Sequence, residues 1–263
     1  MKEIYLNNSD LEITLIFLHG WCLSPESFRE QINYFRRNYS ILAPDYSELV
    51  GDMSVSQDRL LLEIVERISK RISQLNLSKV IFIGHSMGGV IALQLAARFI
   101  KVTFASIIID TTMPSSIKQQ KIFRDFLASL STGNQEEQIR GFISRRMYNP
   151  QLDDRARVNL IIKEMLDKWS KFPEHFNQLL YQAVLFDSEA ALRILRIPLM
   201  YLGGTPPCGD IDKLQQIKSD IIIKSLPCGH FIMNNLPQDL NLTIEKFNLS
   251  LPEPFYTQID LIS

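Results

Sequence analysis

The sequence is poor in the residues that staple a small protein or load it with metal. It holds three cysteines (Cys22, Cys208, Cys228) and four histidines (His19, His85, His175, His230) in 263 residues. An odd, irregularly spaced set of cysteines is no disulfide framework and suits a reducing compartment. No histidine stands at metal-ligand spacing from another, so no catalytic metal is expected. Charge of one sign is also lacking: 28 basic side chains face 29 acidic ones, mixed along the whole chain. Nucleic acid is therefore not an expected partner, because it demands a concentrated basic patch. No apolar run approaches the roughly 18 residues that span a bilayer. The stretch Met1-Lys2-Glu3-Ile4-Tyr5-Leu6 has no basic segment followed by an apolar one. A secretion signal is not expected, and the chain reads as cytoplasmic.

What is present is a rhythm. Short apolar runs alternate with longer helical patterns, as in a mostly parallel sheet flanked by crossover helices. Buried strands are predicted at Ile13–Leu18, Tyr39–Ala43, Lys79–Ile83, Val102–Ile109, Pro198–Leu202 and Ile221–Leu226. Helices are predicted over Pro25–Arg37, Gln57–Gln74, Ser86–Phe99 and Asp212–Ile217, with another after Pro237. From Thr111 to Ala190 no strand pattern occurs, only helical patterns carrying aromatics such as Phe123, Phe126, Phe142 and Trp169. The expected organisation is an α/β core, residues 1–110 and 191–263, interrupted by a helical insertion at 111–190. Aromatics at helical spacing are expected to pack the insertion onto the core more than to touch substrate. The tail from Leu251 onward carries two prolines and is expected to be loosely attached.

Three short motifs carry the chemistry. The first is Gly84-His85-Ser86-Met87-Gly88, set between an apolar strand and an apolar helix. A strand turning abruptly into a helix strains the residue between them and leaves no room for neighbouring side chains. The two glycines remove those side chains and leave the Ser86 hydroxyl at the tip of the turn. The second is His19-Gly20-Trp21 after the first predicted strand. With the helix amino terminus at Met87, it offers two backbone donors, the Trp21 and Met87 amides, for an oxyanion. His19 is expected to pack behind this loop without titrating in a reaction. The third is Cys228-Gly229-His230, past the last strand, on the sheet edge where α/β sites assemble. His230 is the expected base for Ser86, because a serine hydroxyl needs a base in reach. His85 is too close in sequence to turn back onto Ser86. Cys208 and Cys228 read as free thiols, buried near the same edge.

These motifs, in this order, resemble the α/β-hydrolase superfamily over about residues 10 to 245, and most nearly its small bacterial carboxylesterases and acyl hydrolases. The resemblance rests on Gly84-His85-Ser86-Met87-Gly88-Gly89, His19-Gly20-Trp21 and Gly229-His230-Phe231. It implies Ser86 as nucleophile, His230 as base, Trp21 and Met87 as oxyanion donors, and residues 111–190 as a cap over the pocket. Two features depart from the family. Pro44-Asp45-Tyr46-Ser47-Glu48-Leu49-Val50-Gly51-Asp52 lacks the glycine-rich D-x-P-G-x-G-x-S turn. Leu202-Gly203-Gly204-Thr205-Pro206-Pro207 has no acid where many relatives carry one. Asp110, at the end of an earlier strand, is the preferred acid, since a subset of these esterases draws it from that strand tip. Asp210 is the alternative, although Asp210-Ile211-Asp212-Lys213-Leu214 also reads as a helix cap; a third possibility is that neither serves.

The expected activity is hydrolysis of a small-molecule carboxylic ester or thioester through an acyl-enzyme on Ser86, with no cofactor. Carbon–carbon bond hydrolysis, lactonase or acyltransferase chemistry on the same triad stays open, as does a non-catalytic ligand receptor on the same scaffold.

Overall fold

Runs of β-branched and aliphatic residues with no polar alternation can form strands only where both faces are covered, and that is where the chain puts them. A computed structural model of the protein describes residues 1–8, 11–52 and 55–252. The expectation for the tail therefore falls, beyond Pro252, outside the described residues. Seven strands form one sheet: β1 (Lys2–Leu6), β2 (Ile13–Leu18), β3 (Ser40–Asp45), β4 (Lys79–His85), β5 (Thr103–Ile109), β6 (Leu199–Gly203) and β7 (Ile222–Ser225). Their spatial order is β1-β3-β2-β4-β5-β6-β7. All pairs are parallel except β1 with β3, which runs antiparallel with Lys2 opposite Asp45 and Leu6 opposite Ile41.

The predicted strands lie within one or two residues of these. Two differences are physical. Strand β1 escaped the sequence reading because Lys2-Glu3-Ile4-Tyr5-Leu6 is a half-exposed edge with no buried run. It is held sideways by Arg71, whose guanidinium donates to both Glu3 carboxylate oxygens. Strand β7 is the opposite edge and is mostly exposed, not a buried strand.

The helices are α1 (Arg29–Phe35), α2 (Leu60–Gln74), α3 (Met87–Arg98), α4 (Ile117–Ser129), α5 (Gln135–Arg146), α6 (Arg155–Trp169), α7 (Pro173–Leu185), α8 (Ser188–Ile194), α9 (Ile211–Ile217), α10 (Ile232–Asn235) and α11 (Pro237–Ser250). Helix α2 buries Leu60, Leu61, Ile64, Val65, Ile68 and Ile72 along one face, the stripe that a 3.6-residue period requires. Helix α3 buries nearly its whole length. Helices α4 to α8 all fall between β5 and β6. Among the described residues no helix is long and apolar enough to cross a membrane.

The turn from β4 into α3 is the tightest packing point. A Cβ on Gly84 would stand 2.2 Å from the Gly88 carbonyl oxygen, and one on Gly88 would stand 2.0 Å from the Leu18 carbonyl oxygen. Both obstacles are backbone, so neither can swing aside. Gly88→Ala should therefore destabilise the fold by about 1–3 kcal/mol or more, read as a lower urea midpoint in equilibrium unfolding. An unchanged midpoint would contradict this account of the turn.

Candidate active site

Strand β4 delivers Ser86 to the carboxyl edge of the sheet in a strained backbone conformation, φ 54° and ψ −120°. For a non-glycine residue that strain needs support from its surroundings. The Ser86 amide donates to the Ile109 carbonyl at 2.9 Å, and its own carbonyl accepts from Gly89 N at 2.9 Å and Thr111 Oγ1 at 2.8 Å. The chain cannot relax without losing all three bonds.

Strand β5 ends at Asp110, also at positive φ (42°) and only 1% exposed. Its Oδ2 accepts from His230 Nδ1 at 2.8 Å. Its Oδ1 accepts from the Gly204 amide at 3.1 Å and the Cys208 amide at 2.9 Å. Burial alone would raise the Asp110 pKa, but the bond and charge of His230 and the Cys208 amide outweigh it and hold the carboxyl below its ordinary range. Asp210 goes elsewhere: it caps α9, accepting from Lys213 N at 3.1 Å.

His230 is fixed from three sides. Its amide donates to the Met147 carbonyl at 2.8 Å, its carbonyl accepts from His85 Nε2 at 3.0 Å, and its ring is tied to Asp110. The His85 ring lies 4.5 Å from the His230 ring, centroid to centroid. Burial and then the nearby His230 push the His85 pKa well down, so it stays a neutral donor. Gly229 is required by close approach, since a Cβ there would stand 2.4 Å from Asp153 Oδ2 and 2.5 Å from the Met147 carbonyl. Asp153 in turn accepts from the Gly229 and Asn149 amides. Met147 and Asp153, in the stretch between β5 and β6, thus brace the histidine loop. Sequence reasoning missed both, because backbone and carboxylate contacts to a distant loop leave no local pattern.

Ser86 and His230 line one cavity together with Trp21, Met87, Phe126 and Phe142. Among the described residues Ser86 Oγ makes no hydrogen bond to the His230 ring. Nor does the Trp21 or Met87 amide have a protein acceptor, which leaves both donors available. The Trp21 side chain is engaged, its Nε1 donating to the Phe176 carbonyl on α7 at 2.7 Å. His19 is 2% exposed and stacks on Tyr46 at 3.7 Å. The Tyr46 hydroxyl donates to the His19 carbonyl, which ties the loop after β3 to the loop after β2. Phe126 stacks on Phe142 at 4.0 Å and meets Trp21 edge-on at 6.4 Å. These rings pack together and line the cavity at once.

Among the described residues the one cluster of three possible metal ligands is Asp110, Cys208 and His230, with donor atoms within 4.8 Å of one another. Its carboxylate and imidazole already satisfy each other. Burial and the Asp110 charge push the Cys208 thiol well up, keeping it protonated and a poor ligand. Cys22 and Cys228 are buried free thiols, while Cys208 is half-buried.

The family model described as "Alpha/beta hydrolase family" matches residues 15–241. The chain belongs to the alpha/beta hydrolase family. Among curated relatives, the chain is 37% identical over 83 residues to the magnesium-chelatase 30 kDa subunit of Rhodobacter capsulatus, covering 31% of this chain and 29% of that protein. It is 32% identical over 127 residues to "Putative esterase/lipase 2" of Mycoplasma pneumoniae, covering 47% of each. The chain thus matches less than half the length of these curated relatives. Among solved structures, the enol-lactonase from Burkholderia xenovorans superposes with a TM-score of 0.75 at 12% identity, over 94% of this chain and 96% of that one. At that identity the likeness is one of fold.

The depressed Asp110 pKa has a thermodynamic consequence. A carboxyl held lower when folded than when unfolded contributes stability that is fully present above the unfolded value of about 3.9 and lost as pH falls through the folded value. Urea unfolding between pH 3 and 6 should show stability falling below about pH 4, with a shallower fall in Asp110→Asn. Equal acid slopes in the two proteins would contradict the buried-carboxylate reading.

Proposed function

We propose that this alpha/beta hydrolase is a serine hydrolase of carboxylic esters or thioesters, acting through an acyl-enzyme on Ser86. The observation that carries the reading is the 2.8 Å bond from His230 to Asp110, formed beside the elbow that presents Ser86. Asp110 orients the imidazole with Nδ1 protonated, which leaves Nε2 as the base. Nε2 takes the Ser86 proton as Oγ attacks the carbonyl carbon. The missing Ser86–His230 bond is no obstacle, because such contacts often tighten only around substrate. Negative charge develops on the carbonyl oxygen, and the free Trp21 and Met87 amides, with the amino terminus of α3, stabilise it. The imidazolium gives its proton to the departing alcohol or thiol, and the C–O or C–S bond breaks. Water, deprotonated by His230, then attacks the acyl-enzyme, and Ser86 recovers its proton as the carboxylic acid leaves. No cofactor enters.

We assign residues 1–110 and 191–263 to the catalytic core and 111–190 to a cap over the cavity. The Trp21 bond to Phe176 ties that cap to the oxyanion loop. A cytoplasmic setting accords with three unpaired thiols. A lactone is a cyclic ester, so lactonase activity is the nearest variant of the same chemistry; a fold shared with an enol-lactonase supports including lactones among the substrates tried.

Fluorophosphonate labelling followed by peptide mass spectrometry should place the probe on Ser86. Ser86→Ala should lose labelling and about four or more orders of magnitude of ester turnover. Asp110→Asn should cost about three to four orders, and Asp210→Asn should stay close to wild type. Undiminished hydrolysis by Ser86→Ala, or a severe loss confined to Asp210→Asn, would contradict the assignment.

A further inference from the structure

Two cavities meet at Ser86, and their linings differ. The first, about 640 Å³ including its open mouth, runs past Trp21, Met87, Val90, Met165, Leu180 and Val184, with no lysine, arginine, aspartate or glutamate on its wall. The second, about 760 Å³ including its mouth, shares Ser86, Thr112, Phe123, Phe142, Met147 and His230 with the first. It then diverges past Gln119, Ile122, Arg146, Pro206, Pro207 and Cys208.

The esterase mechanism orients these two spaces. The carbonyl oxygen must face the Trp21 and Met87 amides, and both residues line only the first cavity of the pair. The leaving group must depart toward the imidazole that protonates it. The second cavity touches His230 and lies against the β6–α9 loop that holds Asp110, and it lacks both oxyanion donors. Since His230 lines both cavities, the oxyanion donors alone distinguish them, and the cavity without those donors is the one left for the leaving group.

Arg146 is the one lysine, arginine, aspartate or glutamate on the wall of the second cavity. It closes α5, next to Met147, whose carbonyl fixes the His230 amide. It is exposed and has no carboxylate partner among the described residues. Several arginines are paired with carboxylates, among them Arg67 with Glu63 and Asp52 and Arg71 with Glu3; what sets Arg146 apart from the other unpaired ones is its place on the wall of a cavity that reaches Ser86. Gln119 is occupied, donating to the Cys208 carbonyl at 3.0 Å. A further space shares Arg146, Pro206, Cys208 and His230 with the second cavity and adds Arg145. Its only acid is Asp110, a buried carboxylate whose oxygens are engaged by His230 and the Gly204 and Cys208 amides. An unpaired guanidinium with a planar fork of donors is suited to a phosphate or carboxylate.

We propose that the second cavity is the leaving-group site and that Arg146 recognises an anionic group there. The substrates are then acyl esters or thioesters with an apolar acyl part and an alcohol or thiol that carries a phosphate or carboxylate. This assignment rests on the serine-esterase reading above.

The test uses butanoyl thioesters in two matched pairs. Pantetheine against its 4′-phosphate isolates a phosphate, and 3-mercaptopropionamide against 3-mercaptopropionate isolates a carboxylate. The full-length protein should favour the anionic member of at least one pair in kcat/KM, and which pair it is identifies the anion. Arg146→Gln should lower that anionic-to-neutral ratio by about 1.5- to 5-fold, the loss expected for one exposed ion pair. Arg145→Gln, which removes the same charge from the neighbouring space, should lower it less, and 0.5 M NaCl should erode the wild-type preference. Wild-type preference for the neutral members, or a ratio that Arg146→Gln leaves alone, overturns the leaving-group assignment. If Ser86 still labels with fluorophosphonate and the thioesters still turn over, the esterase reading survives that result. A protein that neither labels nor hydrolyses any of them overturns both.

Discussion

A carboxylate sealed at the end of β5 is expensive unless both its oxygens are hydrogen-bonded, and Asp110 meets the requirement with three donors drawn from two distant loops. The Gly204 and Cys208 amides belong to the turn after β6, and His230 to the loop after β7. Satisfying that one buried charge therefore fixes where both loops must lie relative to the elbow at Ser86. Removing a partner would leave a charge stranded in the interior, a penalty that keeps the arrangement intact in the absence of substrate. The same constraint gives the imidazole its tautomer and direction, which is what the proposed chemistry needs.

The helices between β5 and β6 do more than cover a cavity. Met147 holds the His230 amide, Asp153 holds Gly229, and Phe176 receives the Trp21 indole. Ser24 adds a bond to Glu164 on α6. Both the loop of the proposed base and the loop of the proposed oxyanion donors are thus braced from the cap side. A displacement of these helices would be felt at Ser86 and His230 as well as at the cavity mouth, so their position and the geometry of the proposed site are mechanically linked.

Much of this was legible in the chain because the tightest constraints are local. Gly84 and Gly88 flank Ser86 since backbone from β2 and α3 fills the space their side chains would need, and that demand writes itself into five consecutive residues. The strand pattern was readable wherever both faces are covered, and failed at β1, where an edge needs no continuous apolar run. Asp110 could be preferred over Asp210 because Asp210 opens a helical pattern while Asp110 closes the strand from which a subset of the resembling esterases takes its acid; in the structure Asp210 caps α9 and Asp110 accepts from His230. What stayed hidden were contacts made through backbone groups: the Cys208 amide, the Met147 carbonyl and the Gly204 amide have no side-chain signature. The free state of Arg146 was equally invisible, since the absence of a partner is a property of the folded surface and not of the sequence.

The central claim is that Asp110 holds His230 in the reactive tautomer, and the proton between them reports on it directly. Proton NMR should show a strongly downfield imidazole N–H resonance in the wild-type protein that disappears in Asp110→Asn and persists in Asp210→Asn. A downfield resonance that survives Asp110→Asn, or one lost only in Asp210→Asn, would contradict the account.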